Sequence, residues 1–175
     1  MASSPPLPLP DAETRVRAQF GEDVVAFEDQ FGHAVVTIAA ERYRELATFL
    51  RDEPAFACDY CDFTSAVDHG EDGLEIVTHL YSTSRRHNIR MKVRLPADGL
   101  VCQTLSDIYP TANWHERETM EMFGVTFEGH PMPVRLLLHE PFEGHPLRKD
   151  FELMSRVVKP WPGEAEGELA EDEEE

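Results

Sequence analysis

The sequence predicts an α+β fold, a mixed β-sheet with helices packed on it, followed by an extended C-terminal strap. Three observations predict it. Short β-branched segments alternate with a stretch of helical periodicity in the first hundred residues, the order expected when helices lie on a sheet. Residues 87–95 alternate apolar Ile89, Met91, Val93 and Leu95 with basic Arg90, Lys92 and Arg94, the period of a strand with two unlike faces. After Gly124 no long periodic segment recurs and prolines multiply, which suits a chain laid over a support.

The elements follow in order. Residues 1–10 carry four prolines among small residues and read as a disordered arm. Residues 11–20 have helix-forming composition and stop at Gly21; residues 24–27 and 34–38 form a hairpin across the Gln30-Phe-Gly32 turn. A helix over 41–53 places Tyr43, Leu46, Ala47 and Leu50 on one face, and Pro54 closes it. Strands follow at 56–66, 74–82 and 87–95. Residues 111–123 form a short helix, with Asn113 and Glu116 at capping-box spacing and Gly124 just past its end. The strap beyond it holds one short β-like run, 134–138. The resulting division is an arm at 1–10, an α+β domain at 11–124, a subunit-docking strap at 125–162 and a disordered acidic tail at 163–175.

Composition excludes several functions. The formal charge of −18 arises from 34 acids against 16 bases, and residues 164–175 alone hold eight acids and no base. The remaining 26 acids still outnumber the 16 bases by ten, which opposes the phosphate neutralisation on which nucleic-acid binding rests. The first ten residues lack the basic and apolar regions of a signal peptide, and apolar runs such as 35–40 fall far short of the roughly 20 residues a membrane span needs. A cytoplasmic chain that meets a membrane only through other proteins is expected. Gly-x-Gly-x-x-Gly, Gly-Lys-Ser/Thr and Gly-x-Ser-x-Gly motifs are all missing, so an independent enzyme has little to work with.

The residues that could carry chemistry each have a plainer reading. Cys58 and Cys61 form a Cys-x-x-Cys, but with Cys102 they make three cysteines, one short of the usual cluster or zinc set, and read as partly buried thiols of a reducing compartment. The basic stripe of 87–95 is either a solvated sheet surface or a docking face for an acidic partner. Phe-Glu-Gly-His-Pro occurs twice, at 127–131 and 142–146; each histidine sits between a permissive glycine and a φ-fixing proline, so His130 and His145 are held in place. With His115, Glu128 and Glu143 they offer nitrogen and oxygen donors for a metal, without the spacing that makes metal motifs specific. Glu118 and Glu121 could serve as a general acid/base pair or simply form a solvated, ion-paired helix face; Arg117 and Glu121, four apart, share a side.

Several spaced blocks carry a resemblance. Asp107-Ile-Tyr-Pro-Thr-Ala-Asn-Trp114, Glu116-Arg-Glu118, Glu121-Met-Phe-Gly124, Phe127-Glu-Gly-His-Pro131 and Glu143-Gly-His-Pro-Leu-Arg-Lys-Asp-Phe151 together resemble the C subunit of NADH:quinone oxidoreductase, respiratory complex I. The resemblance is dense over residues 56–151. It implies a non-catalytic, structural subunit of the peripheral arm on the cytoplasmic side of the cell membrane, without a catalytic, metal or cofactor site of its own. Flavin and iron-sulfur clusters that pass electrons from NADH to quinone would sit on partner subunits, and the strap would run over the quinone-reducing D subunit. Carried over residue by residue, it implies interface roles for Glu116, Arg117, Glu118 and Glu121 on the helix and for His130, Arg135, His145, Arg148, Lys149 and Asp150 on the strap. One departure stands out: where the family follows Gly-His-Pro with an acidic residue and two arginines, this chain reads Met132-Pro-Val-Arg135 and keeps only the second arginine. A related hydrogenase or ferredoxin-linked membrane complex is the alternative setting, and a stand-alone protein with a metal on His115, His130 and His145 is the alternative from a different class.

Overall fold

A computed structural model describes residues 8–139 and 141–152; the tail expected at 163–175, most of the arm and the last part of the strap lie outside the described residues. Helix α1 (Leu9–Phe20) starts two residues earlier than expected, because proline is tolerated in a first helical turn whose N–H groups have no intrahelical acceptor. Strands β1 (Val24–Gln30) and β2 (His33–Ile38) form the expected hairpin, and both Phe31 and Gly32 take positive φ in its two-residue turn.

The helix expected at 41–53 divides into a 3-10 turn, Ala40–Arg42, and α2 (Tyr43–Asp52). Glu53 is extended ahead of Pro54, as a residue preceding proline should be. Strand β3 (Tyr60–Asp68) begins later than expected, since the N–H groups of Phe56 and Ala57 bond back to Glu53 and that of Cys58 to Leu50, which keeps this stretch in a turn. Strands β4 (Leu74–Ser82) and β5 (His87–Leu95) coincide with the expected bounds.

The five strands form one mixed sheet of order β1-β2-β5-β4-β3, antiparallel except where β2 lies parallel to β5. Tyr43, Leu46, Ala47 and Leu50 of α2, all fully buried, meet Ile76, Leu80, Met91 and Val93 of the sheet in a common core that also takes Val16 and Phe20 of α1. Each large apolar side chain so buried contributes roughly 1.5–3 kcal/mol relative to exposure. The Tyr43 hydroxyl, inside this core, bonds Thr78 Oγ1 at 2.6 Å. Gly73, at φ +91°, is required: a Cβ there would stand 2.1 Å from the carbonyl oxygen of Leu95.

Two short strands were not foreseen. Strand β6 (Val101–Gln103) pairs in parallel with β7 (Thr126–Glu128), and between them runs α3 (Ala112–Phe123). Three-residue strands carry too little periodicity to be read from sequence. Helix α3 lies along β3: the Thr111 hydroxyl, at its start, donates to the Cys61 carbonyl at 3.0 Å, and the Thr119 hydroxyl, which donates to the His115 carbonyl at 2.7 Å, lies 3.4 Å from the Thr64 carbonyl.

Candidate functional site

The charged helix and the strap meet on one side of the molecule. Gly124 ends α3 in the left-handed conformation, at φ +78°, and turns the chain back through β7 so that residues 129–139 and 141–147 return along the helix. Beyond β7 the described residues form neither helix nor strand, and α3 supplies the backbone partners a sheet would have given.

Glu121 does most of this. Its Oε2 accepts the N–H groups of Leu136 and Leu137 at 3.1 and 2.8 Å, and its Oε1 that of Leu138 at 2.9 Å. The β-like run expected at 134–138 is therefore not a strand: three successive donors converge on one carboxylate, which a flat ladder cannot arrange. Burial opposes the charge of Glu121, but the three N–H groups and Arg135 outweigh it, and the carboxyl titrates below its ordinary range. One turn earlier, Arg117 donates from Nε to the carbonyl of Val134 at 2.8 Å and from Nη2 to that of Arg135 at 3.0 Å. Its guanidinium also lies 6.0 Å from the centroid of the Trp114 ring. Helical spacing thus puts an acceptor for N–H groups and a donor for carbonyls on one face, and together they hold five consecutive strap residues.

The two Gly-His-Pro copies are used in opposite ways. His130 Nδ1 accepts the Met132 N–H at 3.1 Å, so its proton is on Nε2, which faces the carbonyl of Asn113 at 3.2 Å. His145 instead donates from Nδ1 to the carbonyl of Glu121 at 2.9 Å, while Leu147 N–H bonds the carbonyl of Met122 at 3.1 Å. These partners, not the rings themselves, assign the tautomers. His145 seats against Gly124, where a Cβ would come within 2.7 Å of Nε2. Both rings are engaged by the chain's own backbone, and no group of three or more His, Cys, Asp or Glu among the described residues is arranged to hold a metal.

Glu116 is fully buried beneath this strap. The expected capping box is not formed: the residue before the helix is Thr111, without a side-chain cap bond, and Glu116 turns inward to accept from the Thr104 hydroxyl and, at 2.6 Å, from the Leu105 N–H. Burial pushes its carboxyl up to about 7 against the pull of those two bonds. His130 Nε2 lies 3.9 Å from Glu116 Oε2. Thr104, Leu105 and the neighbouring Arg44–Asp107 pair were not singled out from the sequence; of these only Asp107, at the head of a matched block, left a signal.

The remaining expected site residues lie outward. Glu118 is exposed; Arg135 donates to the Phe142 carbonyl at 3.0 Å; Arg148 pairs with Asp150 at 3.3 Å; Lys149 donates its N–H to Asp68 at 2.6 Å. Beside them Trp114, Met132, Val134, Leu137 and Leu147 are large apolar side chains about half exposed or more. On the far sheet face, Glu75 lies 3.0 Å from Lys92 and 3.7 Å from Arg94, so the basic stripe is partly neutralised within the chain. Cys58, Cys61 and Cys102 are buried free thiols, the first two pushed up to about 12 and about 11 by burial.

Residues 36–157 match the family model described as respiratory-chain NADH dehydrogenase, 30 Kd subunit. The NADH-quinone oxidoreductase C subunit of Roseiflexus castenholzii is 37% identical over 151 residues, covering 85% of this chain and 87% of its own. That of Rhodobacter capsulatus is 38% identical over 150 residues, covering 82% and 72%. Among solved structures, a trypsin-resistant fragment of Nqo5 shares the fold with a TM-score of 0.60 at 22% identity, over 69% of this chain and 98% of the fragment. A chain of the membrane-bound sulfane sulfur reductase, an archaeal respiratory membrane complex, aligns with a TM-score of 0.64 at 25% identity, over 82% of this chain and 87% of its own.

Proposed function

The chain belongs to the family of the 30 kDa subunit of respiratory-chain NADH dehydrogenase, and from that premise we propose that it is a non-catalytic structural subunit in the peripheral arm of a proton-translocating NADH:quinone oxidoreductase. It supports electron transfer from NADH through flavin and iron-sulfur clusters on other subunits to quinone. The observation that carries this reading is the use made of the charged helix. Glu116 and Glu121, a residue type that elsewhere does acid/base work, are spent with Arg117 on holding the chain's own backbone.

That arrangement yields a preformed surface: a helix and a strap locked together, with Trp114, Met132, Val134 and Leu137 facing out. An exposed apolar group of this kind, set among charges, suits a permanent neighbour. The quinone-reducing D subunit is the partner we assign to it. The ten charged and histidine positions then divide into an inner set that shapes the surface and an outer set, Glu118, Arg135, Arg148, Lys149 and Asp150, that meets the neighbour directly. No helix among the described residues is long and apolar enough to cross a membrane. The place we assign is peripheral, on the cytoplasmic side, with membrane contact made through other subunits.

Co-purification with a homologue of the quinone-reducing subunit tests the reading. Tagged chain should retain that neighbour, and Trp114→Ala should lose it while the chain stays folded; full retention by Trp114→Ala together with Leu137→Asp sinks the assigned surface. A second setting, a related hydrogenase or ferredoxin-linked membrane complex, is favoured by the likeness to a sulfane sulfur reductase chain and by the Met132-Pro-Val-Arg135 departure. Supplying the purified complex with NADH or with reduced ferredoxin separates the two.

A further inference from the structure

We propose that the buried Glu116–His130 pair is a proton-operated latch on the entry turn of the strap, closed while His130 is neutral and opened when its Nδ1 takes a proton. The geometry is that of a ring whose two nitrogens have different employers. Nδ1 accepts the Met132 N–H at 3.1 Å and so closes the turn that leads into the strap. Nε2 looks inward, 3.2 Å from the Asn113 carbonyl and 3.9 Å from the Glu116 carboxylate. The side chains of His130 and Glu116 are 2% and 0% exposed, so neither can turn to water without moving the backbone.

A proton from solvent placed on Nδ1 changes both sides of the ring at once. The Met132 N–H would then face an N–H instead of a lone pair, and the turn must shift to separate two donors. The turn lies at the surface, with Met132 and Val134 about half exposed. On the inner side, the imidazolium formed would sit beside Glu116 as an ion pair, so an ionised Glu116 favours opening. The strap stays attached beyond the turn, because the grips of Arg117 and Glu121 do not involve His130.

Glu116 is the carboxylate that faces the ring's inner nitrogen. The other titratable groups around it are Cys102 on β6, Cys61 on β3, Tyr43 and Arg44 on α2, and Asp107 ahead of α3. Burial raises the two thiols and the phenol, which keeps them neutral, and Arg44 is held by both oxygens of Asp107. Among the described residues His130 is the one basic side chain within ion-pair distance of Glu116. Burial pushes the Glu116 carboxyl up to about 7, so its own charge changes near neutrality.

The test is ring-nitrogen and amide NMR on the full chain, with no partner present, so that it stands apart from the reading of the neighbouring subunit. At pH 8 His130 should show the Nε2–H tautomer and Met132 a protected amide. On acidification, ring protonation and loss of that protection should follow one curve. Glu116→Gln should keep the two curves together, since the turn is closed by Nδ1 and not by the carboxylate, and His130→Gln should leave Met132 exposed at every pH with the fold intact. An Nδ1–H tautomer at pH 8, or a ring that titrates while the Met132 amide is unmoved, overturns the latch. The unmutated chain alone decides this, even if a variant fails to fold.

Discussion

The Leu137 N–H donates to Glu121 Oε2 at 2.8 Å across sixteen residues of sequence, and with Leu136 and Leu138 on either side it makes one helix carboxylate the acceptor for three successive strap amides. That relationship fixes where the strap lies, and removing it has a defined consequence. In Glu121→Ala three inward amides lose their acceptor, and Glu121→Gln restores at most part of it. Each amide left unsatisfied costs about 1–3 kcal/mol if it stays buried, so residues 134–138 should leave the helix instead. Hydrogen exchange at Leu136–Leu138 that stays slow in Glu121→Ala contradicts this.

The pH dependence of the same contact has a definite sign. The folded carboxyl of Glu121 titrates below its ordinary value, so it contributes stability that is fully present above the unfolded pKa and is lost as pH falls through the folded one. Strap amide protection should therefore decline in the acid range, and in Glu121→Gln it should not vary there.

Glu116 behaves in the opposite sense. Its carboxyl is raised from 4.5 to about 7, so between these values the folded chain keeps a proton that the unfolded chain has released, and stability falls as pH rises through that interval. The loss is on the order of 3 kcal/mol. Glu116→Gln, which retains an acceptor for Leu105, should be nearly flat across the same interval and more stable than the unmutated chain at pH 8. Denaturant midpoints at pH 5 and pH 8 measure both; parallel changes in the two proteins count against a buried, neutral-preferring Glu116.

Gly124→Ala meets two obstacles. Left-handed backbone costs a non-glycine residue about 1–2 kcal/mol, and the new Cβ would stand 2.7 Å from His145 Nε2. The ring has to leave, taking with it the bond to the Glu121 carbonyl. A lower melting temperature together with faster exchange at Leu147 is expected, and an unchanged Leu147 amide would show that the second Gly-His-Pro is held by something else.

The Cys-x-x-Cys should be chemically quiet. Thiols raised to about 12 and about 11 hold almost no thiolate at neutral pH, and Cys58 and Cys61 are buried besides. Thiol reagents should label them only as the chain unfolds. Rapid labelling of the native protein would reopen the redox reading.

Much of this is legible in the sequence alone. Alternation of Ile89, Met91, Val93 and Leu95 with basic residues located β5 with its bounds, and the spacing of Tyr43, Leu46, Ala47 and Leu50 identified the buried face of α2. Gly124 marked the end of α3 because a left-handed residue there is a local requirement. Strands β6 and β7 were missed because three-residue strands exist only through the partner they pair with. The capping box failed for a related reason: Asn113 and Glu116 have the right spacing, but the buried Thr104 and Leu105 compete for the carboxylate and win it.

By itself the sequence determined the α+β class, the family and the residues around which the molecule is organised, because periodicity, turn chemistry and spaced motifs are properties of neighbours along the chain. Only the tertiary structure decided what those residues hold. Whether Glu116 is solvated or buried, whether Arg117 and Glu121 pair with each other or grip a strap, and which nitrogen of each Gly-His-Pro histidine carries the proton all depend on which distant backbone groups arrive beside them. The doubled motif is the plainest case. The same five residues give His130 an N–H to accept and His145 a carbonyl to donate to, a difference set by the contacts and not by the motif.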